Sequence, residues 1–184
     1  MSEIVDRGVN SISDRLQNRQ IGLGASGGIG VVELVKIIRE LRRHGASVFP
    51  RFTPSVGAFI SPLAVEWAAG RPVITSLEAD VDHLDPYDLV LLAPATLNTI
   101  AKCAMGICDN SVTLLTAAQI GRKAPVLIVP TMNVQLVHHP MYEEYKKRLE
   151  SWGVSFFQPT PQEGRLKMPA PEKIAELIIR MLAK

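Results

Sequence analysis

Short apolar runs that alternate with helical patterns are the feature that most limits how this chain can fold. Residues 87–93 and 124–130 are almost continuously apolar, which predicts strands buried on both faces of a sheet. Around them, apolar residues recur every three or four positions, as in Val31, Leu34 and Ile38, which predicts amphipathic helices. The alternation predicts an α/β fold, a Rossmann- or flavodoxin-like three-layer sandwich with a parallel sheet.

The pattern also predicts the positions of the individual elements. We expect an arm over residues 1–19 and a single domain over residues 20–184. Pro50 lies inside the second strand and cannot donate to a ladder, so that strand is expected at an edge or to end there. Strands are predicted at 20–24, 46–52, 87–93, 124–130 and 154–157, and helices from 30 to Gly45 and at 62–69, 97–105, 109–120, 139–152 and 171–183.

Composition narrows the class of protein. The chain has 184 residues, 47% of them hydrophobic, with 20 basic and 18 acidic side chains for a net charge of +2. This balance gives no argument for a nucleic-acid partner or an anionic membrane, and the apolar runs are too short to span a bilayer. Cys103 and Cys108 have neither disulfide nor metal spacing. We therefore expect a cytoplasmic protein without a structural metal.

The loops after the predicted strands locate a ligand site, because doubly wound sheets bind ligands beyond the carboxyl ends of their strands. The first such loop contains Gly24, Ser26 and Gly27, whose small size and backbone N–H groups suit a phosphate. A tight turn without a ligand is the alternative. Thr53 and Ser55 follow the second strand and offer hydroxyls to the same phosphate, or they cap a short helix.

Three further candidates are polar groups in later loops. Thr96 and Asn98 follow the third long strand among small residues that leave room for a flat ring, although Thr96 also suits helix capping. Asn133 follows the next strand, where its amide could bind a carboxylate or simply form an Asn turn. His83 lies in an acidic loop that favours the imidazolium. It could steer a carboxylate or accept a proton, or it could be merely solvated.

Taken together, six segments in order resemble the homo-oligomeric flavin-containing cysteine decarboxylase family, which includes phosphopantothenoylcysteine decarboxylases and lantibiotic peptide decarboxylases. The resemblance covers residues 19–140. Its segments are Gly24-Ala25-Ser26-Gly27-Gly28-Ile29, Thr53-Pro54-Ser55 with Phe59-Ile60-Ser61-Pro62-Leu63, His83, residues 93–102, Gly106-Ile107-Cys108-Asp109-Asn110, and Pro130-Thr131-Met132-Asn133.

The resemblance implies FMN as the cofactor and a small carboxylate as the substrate. The cofactor's redox chemistry would oxidise a cysteine-like substrate, from which carbon dioxide then leaves. His83 would be the active-site histidine, Asn133 would hold the substrate carboxylate, and sites would lie between subunits of a homotrimer. The implied cofactor contacts are Gly24, Ser26, Gly27, Thr53, Ser55, Phe59, Ala93, Pro94, Ala95, Thr96, Asn98 and Met132.

Two departures keep other functions open. The family pattern Pro-x-Met-Asn-x-x-Met-Trp continues here as Val134-Gln135-Leu136-Val137, and residues 159–167 lack the cysteine that phosphopantothenoylcysteine decarboxylases carry there. The leading hypothesis is an FMN-dependent lyase, an oxidative decarboxylase of a cysteine-like or phosphopantothenoylcysteine-like substrate as in coenzyme A biosynthesis. The alternatives are a flavin-dependent reductase, a flavin prenyltransferase or a non-catalytic flavin-binding regulator.

Overall fold

A five-stranded parallel sheet forms the centre of the computed structural model, which describes residues 6, 8–77, 85–157 and 159–183. Its strand order is β2-β1-β3-β4-β6, and every neighbouring pair is parallel. This confirms the predicted sandwich class. The strands are β1 (Gln20–Ala25), β2 (Ser47–Phe52), β3 (Leu89–Ala95), β4 (Val126–Pro130) and β6 (Ser155–Phe156).

Helices cover both faces of the sheet. The residues of β3 alternate between two apolar clusters: Leu89 and Leu91 belong to one, and Val90 and Leu92 to the other, as the two-residue period of a strand requires. Helices α1, α2 and α7 pack in the first cluster, and α3, α4 and α6 in the second. The helices are α1 (Leu34–Arg43), α2 (Pro62–Ala69), α3 (Leu97–Met105), α4 (Ser111–Gly121), α5 (Val134–Val137), α6 (Pro140–Ser151) and α7 (Pro171–Leu182), with 3₁₀ turns at Ile29–Glu33 and Pro54–Ala58.

Two sequence signals for boundaries are confirmed. Strand β2 is an edge strand of the sheet, where Pro50 is tolerated because fewer backbone donors are needed there. Gly45 follows α1 with a φ of +93°, the left-handed conformation that glycine adopts at helix ends. The helix predicted from residue 30 begins instead with a 3₁₀ turn, and its α-helical part starts at Leu34.

A small antiparallel sheet was missed by the sequence analysis. Its strands β5 (Met132–Asn133), β7 (Pro161–Gln162) and β8 (Arg165–Leu166) run in the order β5-β8-β7. Two-residue strands are too short to show a period. The turn between β7 and β8 has positive φ at both central residues, +50° at Glu163 and +70° at Gly164, which is typical of a type I′ hairpin.

The residues before β1 pack on the end of α1. Leu16 is fully buried, its backbone N–H donates to the carbonyl of His44, and the Ser13 hydroxyl lies 2.7 Å from His44 Nδ1. The division at residue 19 stays a prediction. Within the described ranges, we find no helix with the length and apolar character needed to cross a membrane.

Candidate ligand site at the carboxyl edge of the sheet

The loops after β1 and β3 are joined by one buried side chain. Ser26 Oγ accepts a hydrogen bond from the Thr96 backbone N–H at 2.9 Å and donates one to the Pro94 carbonyl at 2.9 Å. The Ser26 N–H donates to the same carbonyl at 3.0 Å. Ser26 is 1% exposed. Its hydroxyl therefore holds two ligand-facing loops together, and its proton is already committed to protein.

The loops after β1 and β2 meet at Gly27. A Cβ at Gly27 would lie 2.2 Å from Ser55 Oγ, so only glycine allows this approach. Thr53 Oγ1 lies 3.2 Å from Ser55 Oγ, and the Thr53 N–H donates to the Ala25 carbonyl at 2.9 Å. Among the described residues, no hydrogen bond occupies the backbone N–H groups of Gly27 and Gly28. Free N–H groups beside hydroxyls form a concave donor set that suits a phosphate.

Two adjoining cavities open at this edge. The α3 cavity, about 540 Å³, is lined by Gly27, Ser55, Thr96, Asn98, His139 and Tyr145, among others. The hairpin cavity, about 620 Å³, is lined by Gly28, Ile29, Thr96, Asn133, Arg165 and Met168, among others. Thr96 and Leu136 line both. One extended ligand could therefore contact both cavities.

Two polar residues lack the side-chain hydrogen bonds of their alternative roles, which were helix capping for Thr96 and an Asn turn for Asn133. Thr96 is the residue before α3 and Asn133 the residue before α5, yet neither side chain makes a capping hydrogen bond. Thr96 Oγ1 lies only near Thr99 Oγ1, at 3.3 Å, and the Asn133 amide has no hydrogen bond within the described part of the chain. Neither side chain bonds to the backbone, which favours the binding interpretation over capping for Thr96 and over an Asn turn for Asn133.

The structure brings together six of the predicted site residues and places the others behind or outside the cavities. Those that line a cavity are Gly27, Ser55, Thr96, Asn98, Met132 and Asn133. Ala93, Pro94 and Ala95 are buried at the end of β3, Ser26 and Thr53 lie beneath the surface, and Phe59 is 46% exposed beyond the 3₁₀ turn. His83 lies outside the described residues. The ligand contacts of all these residues stay predictions.

Gly24 also has a structural reason that the sequence analysis did not give. A Cβ there would lie 2.8 Å from Val112 Cγ1 and 3.3 Å from Leu92 Cδ1. The missing side chain therefore lets α4 approach the sheet closely. Gly24 lines neither cavity.

Several cavity residues were missed by the sequence analysis. Arg165 and Met168 reach the hairpin cavity because the β7–β8 hairpin pairs with β5. His139 and Tyr145 reach the α3 cavity from the start of α6. The Glu163-Gly164 pair was the one available signal, since a glycine in a two-residue loop is typical of a hairpin.

Neither of the chain's two cysteines lines a described cavity. Cys103 is buried in α3, and this burial raises the pKa of its thiol to about 12. Cys108 is exposed after α3, and its pKa is also raised, mainly by partial burial and then by the charge of Asp109. Both groups are thiols rather than thiolates near neutral pH, so neither is suited to chemistry at this site.

The sequence matches the flavoprotein family over residues 9–183. It is 37% identical over 177 residues to the coenzyme A biosynthesis bifunctional protein CoaBC of Thermococcus kodakarensis, and 32% identical over 183 residues to that of Bacillus subtilis. Each alignment covers 92% of this chain and 44% of the relative. The chain thus spans less than half the length of these curated relatives.

Solved structures share the fold. The FMN-dependent cysteine decarboxylase SpaF matches with a TM-score of 0.81 and 21% identity, covering 92% of this chain and 99% of that one. A mutant PPC decarboxylase complexed with pantothenoylaminoethenethiol matches with a TM-score of 0.80 and 20% identity. This match covers 91% of this chain and 100% of the decarboxylase chain. The peptidyl-cysteine decarboxylase EpiD matches with a TM-score of 0.75 and 25% identity, and the match covers 87% of this chain and 98% of EpiD. The resemblance carried by the six sequence segments is thereby confirmed: the chain belongs to the flavoprotein family.

Proposed function

We propose that this protein binds FMN and catalyses the oxidative decarboxylation of a small cysteine-containing carboxylate. The observation that carries the proposal is the uncommitted amide of Asn133 in a cavity that adjoins a phosphate-type donor set. The names of the relatives support both FMN binding and decarboxylation, since they include an FMN-dependent cysteine decarboxylase and coenzyme A biosynthesis proteins.

The residues present fit the cofactor. Gly27, Ser55 and the free N–H groups of Gly27 and Gly28 would hold the phosphate. Thr96 and Asn98, at the start of α3, would hydrogen-bond the ring system beside the small side chains that end β3. When bound, the flavin supplies a two-electron oxidant for the thiol-bearing carbon of the substrate.

Asn133 would orient the substrate. Its amide N–H groups can donate to a carboxylate without adding a full positive charge. A neutral donor suits a group that must leave as uncharged carbon dioxide, because a strong ion pair would stabilise the starting carboxylate more than the transition state. Apolar side chains of Ile29, Leu136 and Met168 at the same cavity would exclude water from the reacting atoms. His83 stays the predicted group for steering the carboxylate or moving a proton.

The missing cysteine predicts the form of the product. The family resemblance implies that a cysteine in the segment after the last strand returns hydrogen to the decarboxylated intermediate, and residues 159–167 have none. The substrate carboxylate would lose carbon dioxide, two electrons and one proton, and would leave as an enethiol. An external electron acceptor would then be required for each further turnover, and under anaerobic conditions the reaction would stop after one equivalent.

The experiment is a carbon dioxide assay of the FMN-loaded protein with phosphopantothenoylcysteine, with the product mass measured in parallel. We expect release of carbon dioxide, a product two hydrogens lighter than the saturated thiol, and loss of both in Asn133→Ala with FMN retained. Gln135→Ala is the matched control, since this exposed residue lies two positions further on and lines neither cavity. Full FMN occupancy without carbon dioxide release would refute the decarboxylase and favour a reductase, a prenyltransferase or a flavin-binding regulator.

We further propose a cytoplasmic homotrimer with sites shared between subunits. Ile29, Val32, Phe59 and Leu63 are between 46% and 63% exposed on the segments that follow β1 and β2, and exposed large apolar side chains are typical of interfaces. Light scattering of the purified protein would give the mass directly. A monomer of 20.1 kDa with full FMN affinity would contradict the shared site.

A further inference from the structure

We infer that His139 binds the FMN phosphate through its Nε2–H group, as a neutral donor that the first turn of α6 holds in place. This inference rests on the FMN part of the proposed function and adds a cofactor-binding residue to it. The observation behind it is that one imidazole nitrogen of His139 caps α6 while the same residue lines the α3 cavity.

The start of α6 fixes the position of the His139 imidazole. Its Nδ1 accepts a hydrogen bond from the Met141 backbone N–H at 3.2 Å. The His139 backbone N–H donates to the Leu136 carbonyl at 3.3 Å, and the His139 carbonyl accepts from the Tyr142 N–H at 2.9 Å. Three hydrogen bonds to α5 and α6 therefore hold this residue, so its ring is oriented before any ligand binds.

The cap also decides which ring nitrogen carries the proton. A nitrogen that accepts from a backbone N–H must present its lone pair, so Nδ1 of neutral His139 is unprotonated and Nε2 carries the proton. Within the described part of the chain, Nε2 makes no hydrogen bond. His139 therefore offers one N–H donor, on a different edge of the ring from the cap.

The α3 cavity is where this donor can meet a phosphate. Gly27 and Ser55, which belong to the phosphate-type donor set, line this cavity together with His139. None of the described residues that line it is a lysine or an arginine. Within this set the charge of a phosphate is met by N–H and O–H donors, and hydrogen bonds to a charged acceptor are the stronger ones. His139 supplies such a donor from a third segment of the chain.

Capping alone does not require an imidazole at this position. Asparagine, aspartate and serine are the preferred N-cap residues, and they accept the same bond with a smaller side chain. The two nitrogens of His139 can be replaced one at a time. An asparagine carries its acceptor oxygen at the δ position, where Nδ1 lies, and a glutamine carries an N–H donor at the ε position, where Nε2 lies.

The experiment compares these two substitutions by flavin fluorescence titration for FMN affinity and by urea unfolding without added FMN for stability. His139→Asn keeps the cap and loses the donor, so we expect an unchanged urea midpoint and an FMN affinity about 10-fold lower or more. His139→Gln keeps the donor and weakens the cap, so the urea midpoint should fall while most of the affinity is kept. His138→Gln is the matched control, because this neighbouring exposed histidine lines neither cavity.

Riboflavin, which lacks the phosphate, is the second probe. His139→Asn should bind riboflavin as tightly as the unaltered protein does, because the lost donor contacts only the phosphate. The ratio of FMN affinity to riboflavin affinity therefore reports the contact itself, and a general loosening of the loops would lower both affinities together.

Two results would overturn the inference. Equal FMN affinity in His139→Asn and the unaltered protein would show that the imidazole only caps α6. An equal loss for FMN and riboflavin in His139→Asn would show that the donor contacts a group that both flavins share. Neither measurement needs turnover, so this inference can fail while carbon dioxide release succeeds. An unaltered protein that binds no FMN would refute the proposed function as well.

Discussion

The Ser26 hydroxyl and the Thr96 backbone N–H are joined by a 2.9 Å hydrogen bond that links the loops after β1 and β3. The same hydroxyl donates to Pro94 at 2.9 Å. A serine that looked like a phosphate donor in the sequence is therefore first a brace between two loops. It holds together the loops that carry Gly27 and Thr96, which line the same cavity.

Removing this brace should cost both stability and cofactor affinity. Ser26→Ala leaves the half-buried Thr96 N–H without its acceptor, so we expect a loss of about 1–3 kcal/mol in the free energy of unfolding. Urea titration measures that loss, and fluorescence titration measures FMN affinity. Ser61→Ala is the comparison, because it removes a hydroxyl that caps α2 away from the cavities. An unchanged FMN affinity in Ser26→Ala would contradict the bracing role.

Gly24→Ala should destabilise the fold through a clash between helix and sheet. The new Cβ would lie 2.8 Å from Val112 Cγ1, and overpacking of this kind costs about 1–3 kcal/mol. The clash is specific to one partner, so a double-mutant cycle with Val112→Ala should show a favourable coupling of about 1 kcal/mol or more. Strictly additive losses in urea titrations would mean that Gly24 is required for another reason.

Gly27→Ala should weaken FMN binding with little loss of secondary structure. Its Cβ would lie 2.2 Å from Ser55 Oγ and 2.6 Å from Ser55 Cβ, so the two phosphate-facing loops must separate. We expect an FMN affinity at least about 10-fold lower by fluorescence titration, as for the loss of charge-assisted hydrogen bonds. Gly57→Ala is the matched control on the same edge, since no heavy atom lies within 4 Å of its Cβ position. Equal affinities in the two variants would argue against a phosphate at Gly27.

Cys103 should make the protein less stable in alkali. Burial raises the pKa of its thiol to about 12, whereas an unfolded chain has a value of about 8.5. The folded state therefore keeps the proton longer, and this contribution to stability is complete below pH 8.5 and is lost as the pH rises towards 12. The slope is about 1.4 kcal/mol per pH unit.

The measurement is the unfolding free energy of the unaltered protein relative to Cys103→Ala. We expect this difference to fall by about 2 kcal/mol between pH 9 and 10.5. Cys108→Ala should show a much smaller change, because that thiol is exposed. A pH-independent difference for Cys103→Ala would mean that the folded thiol titrates normally.

The outline of the fold could be predicted from local patterns because each long element carries its own signal. Residues 62–69, with Pro62 at the first turn and Gly70 after the last, were predicted with the observed bounds. The position of the candidate site, in the loops at the carboxyl ends of the strands, could be predicted because the strands are parallel. Register and pairing could not be predicted in this way. The antiparallel contact of Asn133 with Arg165 joins residues 32 positions apart, and two-residue strands carry no period.

The alternation of apolar runs and amphipathic helices thus determined the α/β class and the edge of the sheet at which the two cavities open. Six short segments carried the resemblance to the family. Tertiary structure alone decided what the individual residues do there. Gly24 allows α4 to approach the sheet closely, and Ser26 links two loops by hydrogen bonds. Asn133 and Arg165 are paired across a small antiparallel sheet. The physical reason is that hydrophobic periodicity is a local property of the chain. Which hydrogen-bond partners a side chain has, and which of its donors and acceptors stay unpaired, depends instead on residues that only folding brings beside it.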